Sequence, residues 1–237
     1  MTQLILFDIF SYSCMNCLRS LDFIKRINNK YKKCGLKTIL IHPPEWEFEK
    51  NSENILRAAK QYHIKIPIII DKDKKIIKKL KINFWTTQIL IKNNRTIYKH
   101  IGEGNYKALE NKITKLLNIK TKKIFEKEPK YSKFPTIYAG KKGGKLGIIY
   151  KRGKWTRNES LTGRGSLTIK TKGKITNFTA QSIDKKSVNV NIKVDNKLVK
   201  KLKVNKPQLY QIIRLQNPKT LTLTTKEKIK IYSFSFR

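Results

Sequence analysis

From Leu4 to Phe10 every position is apolar except Asp8, and the residues are strand formers. Ser11-Tyr12-Ser13 then breaks the run. From Cys17 onward, Leu18, Leu21, Phe23, Ile24, Ile27 and Tyr31 recur at intervals of three and four, which predicts an amphipathic helix. Cys34-Gly35 ends that helix, because glycine takes the left-handed conformation common at helix C-termini. The pattern continues with a strand at Leu36–His42, a helix at Asn54–His63 and a strand at Ile66–Ile70 closed by Asp71-Lys72-Asp73. Gln88–Lys92 and Thr96–Ile101 flank Asn93-Asn94-Arg95 as a hairpin, and Tyr106–Leu117 reads as a last helix. Strands alternating with helices, then a hairpin and a helix, predict an α/β sheet of mixed direction.

The texture changes in the second half. Residues 119–133 are dense in lysine and contain Pro129, which marks a linker. Beyond it, Ser166–Thr171, Ile175–Ile183, Ser187–Val194, Leu198–Val204, Gln208–Leu215, Thr220–Thr225 and Ile229–Phe236 are short β-branched or aromatic segments, several strictly alternating. Seven such segments predict an all-β sandwich. The expected organisation is a domain over 1–120, a linker over 121–133 and a β domain over 134–237.

A length of 237 residues fits two ordinary domains, and 39% apolar residues exclude wholesale disorder. No apolar run approaches the roughly 18 residues of a membrane-spanning helix. Met1–Asp8 lacks a cationic start and reads as a strand rather than a signal peptide, so the expected compartment is the cytoplasm.

Three cysteines cannot build a disulfide scaffold, but two stand together as Cys14-Met15-Asn16-Cys17. The pair falls where a strand gives way to a helix. There the unpaired N–H groups and the helix dipole favour a thiolate, so Cys14 is the candidate nucleophile and Cys17, one turn on, the resolving thiol. The alternatives are half a zinc site or two structural cysteines. A structural zinc needs four ligands, and Cys34, His42, His63 and His100 offer no second close pair. Asp8 is the third candidate, an acid in an apolar strand, where burial would raise its pKa and let it exchange protons with Cys17. The competing reading of Asp8 is a surface acid at a strand end.

The formal charge is +38, spread over both halves of the chain. No zinc-finger spacing, RRM aromatic signature or basic-helix heptad run accompanies it. The charge predicts a solvated basic surface with salt-sensitive, non-specific binding to polyanions.

The spacing Asp8…Cys14-x-x-Cys17 resembles the buried acid and dithiol of thioredoxins. The segment Phe7-Asp-Ile-Phe-Ser-Tyr-Ser-Cys-Met-Asn-Cys-Leu-Arg19, followed by His42-Pro-Pro-Glu-Trp-Glu-Phe-Glu-Lys50, is similar to the soluble region of DipZ-type thiol-disulfide proteins, relatives of the TlpA-like thioredoxins. The resemblance implies a thioredoxin fold that exchanges electrons with protein thiols and disulfides and needs no dissociable organic cofactor. It also implies a substrate-facing loop at Trp85, Thr86 and Thr87. There the sequence departs from the family, because Thr86 stands in place of the usual cis-proline. That departure implies altered substrate binding and a greater tolerance of thiolate-bound metal.

Phe134–Gly140, Val194–Val199 and Tyr232–Phe236 resemble the carbohydrate-binding-module-like jelly roll that follows the thioredoxin domain in DipZ-type proteins. Sugar binding would need exposed aromatic platforms, for which Tyr150, Trp155 and Tyr210 are the candidates, each of which reads more readily as a core residue. Cys34 is expected to be a buried or half-buried free thiol. Two other functions compete with an oxidoreductase. One is a basic protein that binds polyanions or glycans and carries an inert dithiol. The other is a peroxide reductase, for which Arg19 and Thr86 are the supporting residues.

Overall fold

The computed structural model describes residues 3–124, 134–141, 149–184 and 186–237. The chain divides into two compact units, Met1–Tyr131 and Ser132–Arg237. Most of the expected linker, Pro129 included, lies outside the described residues.

The first unit holds strands β1 (Leu4–Ile9), β2 (Leu36–His42), β3 (Ile68–Ile70), β4 (Thr87–Lys92) and β5 (Arg95–Ile101), and helices α1 (Met15–Tyr31), α2 (Ser52–Gln61), α3 (Lys75–Lys79) and α4 (Tyr106–Leu117). They form one sheet in the order β3-β2-β1-β4-β5. β1 to β3 are mutually parallel, whereas β4 runs antiparallel to both β1 and β5. The expected mixed sheet is therefore present. α1 buries Cys17, Ser20, Leu21, Ile24, Ile27 and Tyr31, the stripe that three- and four-residue spacing produces. A 3₁₀ turn, Lys32–Cys34, follows, and Gly35 closes it at φ 100°. α3 gives no signal in the sequence because its five residues, three of them lysine, are too few to show a period. Asp71 nucleates it by accepting from the Ile76 and Ile77 amides at 3.1 and 3.0 Å. Asp71 thus caps a helix rather than merely closing the strand.

The second unit is all β, with β6 (Ile137–Tyr138), β7 (Tyr150–Arg157), β8 (Leu161–Lys170), β9 (Ile175–Ser182), β10 (Val188–Val194), β11 (Lys197–Val204), β12 (Gln208–Arg214) and β13 (Thr220–Phe236). These eight described strands make one antiparallel sheet with a path β11-β10-β13-β8-β7. Two segments expected as separate strands, Thr220–Thr225 and Ile229–Phe236, are one 17-residue strand carrying register shifts. Its first part pairs with β10 and its last part with β9 and β6. Leu167, Ile192, Leu223, Phe178 and Phe234, drawn from strands on both stretches, share one apolar core. The sheet therefore folds over itself around that core. β7 carries no strand signal in the sequence because Tyr150–Arg157 alternates charge with glycine and aromatic residues rather than with aliphatic ones.

Candidate dithiol site

Cys14 is the N-cap of α1, in extended conformation at φ −91°, ψ 120°, and its carbonyl accepts from the Leu18 amide at 3.0 Å. Its own amide donates to the Ser11 carbonyl at 3.2 Å, which folds residues 11–14 into a tight turn. Cys14 is half-buried and Cys17 fully buried, and both are free thiols. Burial, and then the neighbouring Cys14 sulfur, push the Cys17 thiol well above its ordinary range. One sulfur is reachable and the other is held in its protonated form until something takes the proton.

Asp8 is fully buried, so the surface-acid alternative is excluded. It lies opposite Gln88 in the β1–β4 ladder. Gln88 Nε2 and Thr86 Oγ1 both donate to Asp8 Oδ1 at 3.0 Å, and Gln88 Nε2 also donates to Thr86 Oγ1 at 2.9 Å. Asp8 Oδ2 has no hydrogen-bond partner among the described residues. Desolvation raises the carboxyl pKa from 3.8 to about 7 against the opposing pull of the two donors. The same Asp8 charge contributes to the upward shift of Cys17. A buried acid that titrates near neutrality is thus electrostatically coupled to the buried thiol.

The Trp85–Thr86 peptide is cis, with threonine in the proline position. Thr86 and Thr87 are buried and Trp85 half-buried. The Thr86 carbonyl accepts from Gly102 N at 2.8 Å, and Thr87 Oγ1 donates to the Phe84 carbonyl at 2.6 Å. Thr86 therefore spends its hydroxyl inward on Asp8, a bond that proline has no group to make. In the first turns of α1, Arg19 binds Glu103 through Nε at 2.8 Å and Nη2 at 2.6 Å, and Asn16 through Nη2 at 2.6 Å. This pair is less than a tenth exposed and ties the first turns of α1 to the loop whose Gly102 holds Thr86. Arg19 is engaged structurally in this way, which weakens its reading as a peroxide-activating group.

With this geometry in place, the Redoxin family profile matches residues 3–117. The first unit is thus similar to redoxin domains over nearly its whole described length. Protein DipZ of Mycobacterium bovis is 33% identical over 118 residues, which is 49% of this chain and 17% of DipZ. The thiol-disulfide oxidoreductase ResA of Bacillus cereus is 30% identical over 104 residues, 44% of this chain and 57% of ResA. The structure of StoA from Bacillus subtilis is similar at 17% identity and a TM-score of 0.42, over 47% of this chain and 82% of StoA. The chain thus spans about one sixth of DipZ and a little over half of ResA.

Within this first unit, the segment after β2 acquires a physical role. Glu49 is fully buried. Its Oε1 accepts from Ser11 Oγ at 2.6 Å and Ser13 Oγ at 2.7 Å, while its Oε2 accepts from the Glu45 and Trp46 amides at 2.5 and 3.4 Å. One carboxylate therefore joins the turn that carries Cys14 to the Pro43–Lys50 loop. His42 lies beside it, buried, stacked on Tyr12 at 5.5 Å and edge-on to Phe10 at 5.4 Å. Burial lowers its pKa despite the Glu49 charge, which keeps the ring neutral at physiological pH. The alternation of Glu45, Glu47 and Glu49 is compatible with a solvated acidic loop, but Glu49 is a buried anchor. The signal that could have found it was two serines and an acid in segments otherwise built for burial. Removing this acceptor leaves buried hydroxyl and amide donors unpaired, at about 1–3 kcal/mol each. Glu49→Ala is expected to lower unfolding free energy in urea by at least ~3 kcal/mol and to speed amide exchange at residues 11–14, with Glu49→Gln losing about half as much.

One other expectation is overturned, at Cys34, and the core reading of two candidate aromatics gains support. Cys34 is exposed rather than buried, because the 3₁₀ turn carries it off the helix face. Tyr210 is buried and its hydroxyl is spent on the Lys206 carbonyl at 2.6 Å, so it is no sugar platform, and Trp155 is half-buried against the β core. Tyr150 is 65% exposed. Among the described residues no group of three or more His, Cys, Asp and Glu side chains is placed to hold a metal ion. No described helix is long and apolar enough to cross a membrane.

Proposed function

We propose that the protein is a thiol-disulfide oxidoreductase that exchanges two electrons with protein disulfides through Cys14 and Cys17. The observation that carries this reading is the asymmetry of the pair, a half-buried Cys14 at the helix N-cap beside a buried Cys17 coupled to Asp8. In the reducing direction the Cys14 thiolate attacks a client disulfide, one client sulfur leaves as a thiolate, and a mixed disulfide forms on Cys14. Asp8 accepts the Cys17 proton, and the Cys17 thiolate attacks Cys14 Sγ. The second client sulfur leaves and takes a proton. The client gains two electrons and two protons, one passed from Cys17 by way of Asp8 and one taken from the solvent that received the Cys14 proton, and the protein retains a Cys14–Cys17 disulfide. A resident thiol reductant must return it to the dithiol. In this scheme Asp8 is the proton acceptor, and the cis Trp85–Thr86 step with Thr87 forms the loop beside which the client chain lies.

Residues 1–120 act as the catalytic domain, 121–133 as linker and 134–237 as an accessory β domain. Its resemblance to carbohydrate-binding modules supports a glycan ligand only through Tyr150, the one named aromatic that stays exposed. The +38 charge supports polyanions as further, salt-sensitive partners. Reduced protein mixed with a disulfide-linked client such as insulin is expected to release client thiols in step with loss of its own dithiol. Cys14→Ser should abolish this reaction, and unchanged thiol release in that variant would refute the assignment.

A further inference from the structure

The β domain has a charge pattern that the dithiol chemistry does not use. In antiparallel ladders, directly opposed residues project from the same face. Arg152, Ser166, Thr224, Asn191 and Lys201 are opposed in turn, so they form one row across β7, β8, β13, β10 and β11. A second row runs Tyr150, Thr168, Thr222, Lys193 and Leu198. The alternate residues Leu167, Leu223 and Ile192 are in the core, so both rows face outward. The middle of each row is short and neutral, and the Thr168 and Thr222 hydroxyls there are 3.0 Å apart.

Cations stand on both flanks. Lys154 and Arg164 are opposed beside Arg152, and Lys203 faces outward opposite Asn189 beyond Lys201. Together with Lys193 they give six cations in two banks, whose outermost members on β7 and β11 are four strand spacings, or roughly 19 Å, apart, while Arg164 on β8 and Lys193 on β10 stand two spacings apart across β13. The described acids of this unit, Glu159, Asp184, Asp195 and Glu227, fall in loops or in the β13 bulge and none lies in these rows. The two rows therefore present hydroxyls and an amide between long basic side chains, and the one acid within these five strands, Glu227, sits between Lys226 and Lys228 in the bulge opposite Arg164.

We propose that this face binds the phosphate backbone of double-stranded nucleic acid without reading its bases. Two cationic banks suit a rod of phosphates lying along the strands, with the hydroxyls and amide between them as neutral donors to phosphate oxygens. A planar anionic membrane would meet the banks and leave the recessed middle of the rows without partners. Single strands are disfavoured because the rows offer one exposed aromatic, Tyr150 at the β7 edge, where successive bases would need several on which to stack. The inference does not depend on the dithiol.

The test uses the full chain and a short fluorescent DNA duplex of mixed sequence, read by anisotropy from about 50 to about 200 mM salt. A variant carrying Lys193→Gln, Lys201→Gln and Lys203→Gln is compared with one carrying Lys65→Gln, Lys72→Gln and Lys79→Gln, exposed lysines of the first unit. Both lose the same net charge. The bank variant is expected to bind at least tenfold more weakly, with its log–log salt slope shallower by about 2.7, at ~0.9 for each phosphate no longer neutralised. The control should change less than twofold, and Lys→Arg at the three bank positions should retain binding. Equal weakening in both glutamine variants, failure of the arginine variant, or preference for phosphatidylserine vesicles over duplex at matched salt would overturn the proposal.

Discussion

Asp8→Asn is expected to stabilise the protein above neutral pH while slowing release of its client. Folding raises the Asp8 pKa from 3.8 to about 7. Between those values the unfolded chain has given up a proton that the folded chain retains. Stability therefore falls as pH rises through this window, and the full deficit is in place above pH 7. A shift of about three units corresponds to at most ~4 kcal/mol. Asparagine can still accept from Gln88 and Thr86, and it removes the buried charge. Urea unfolding from pH 4 to pH 8 should show the variant gaining on wild type up to about pH 7 and then running parallel. A constant gap across that range would mean that Asp8 is not the titrating group. The kinetic consequence has the opposite sign. The Cys17 thiol would lose its proton acceptor, and general-base assistance is worth about 10²-fold or more. Release from the mixed disulfide near pH 7 should slow by about that factor, with attack by Cys14 little changed.

Cys17→Ser is expected to stop the reaction halfway. Without the resolving sulfur, the disulfide between Cys14 and a client fragment persists until an external thiol reaches it, and burial of the partner position limits that access. Mass spectrometry after mixing with a disulfide-bonded peptide should find a stoichiometric adduct on Cys14, removed by adding dithiothreitol. The background should carry Cys34→Ser, because that thiol is exposed and would take up label independently. In wild type the same adduct should decay at least a hundredfold faster. An adduct that decays equally fast in both proteins would show that Cys17 does not resolve it.

Much of this was legible from side-chain pattern alone. The α1 stripe, the dithiol at its start and the isolated acid in β1 each contradict, or conform to, a simple burial rule, so each stands out in a single sequence. Gln88 gave the same signal as Asp8, a polar residue in an apolar strand, but only strand register shows that the two oppose each other. Glu49 was harder. Its neighbours Glu45 and Glu47 alternate with it in a pattern that reads as solvated, and its partners Ser11 and Ser13 lie more than thirty residues away. The Arg19–Glu103 bridge is also long-range, joining residues 84 apart in the chain. In the β domain, alternation marked the strands with aliphatic inward positions. It did not mark β7, nor did it show that Thr220–Phe236 continues through its bulge as one strand. The basic face could not be read at all before register was known, because its rows are assembled from five separate segments.

The most direct test of the dithiol account is a redox equilibrium. Purified protein is equilibrated in graded mixtures of reduced and oxidised dithiothreitol or glutathione, quenched by thiol alkylation and read by mass. The account predicts a single two-electron transition in which Cys14 and Cys17 lose reactivity together and Cys34 stays available. The midpoint would also decide whether the protein reduces or oxidises its clients, since reference dithiols span about −270 mV to −120 mV. A pair that never closes in oxidising buffer, or thiols that titrate separately, would contradict it.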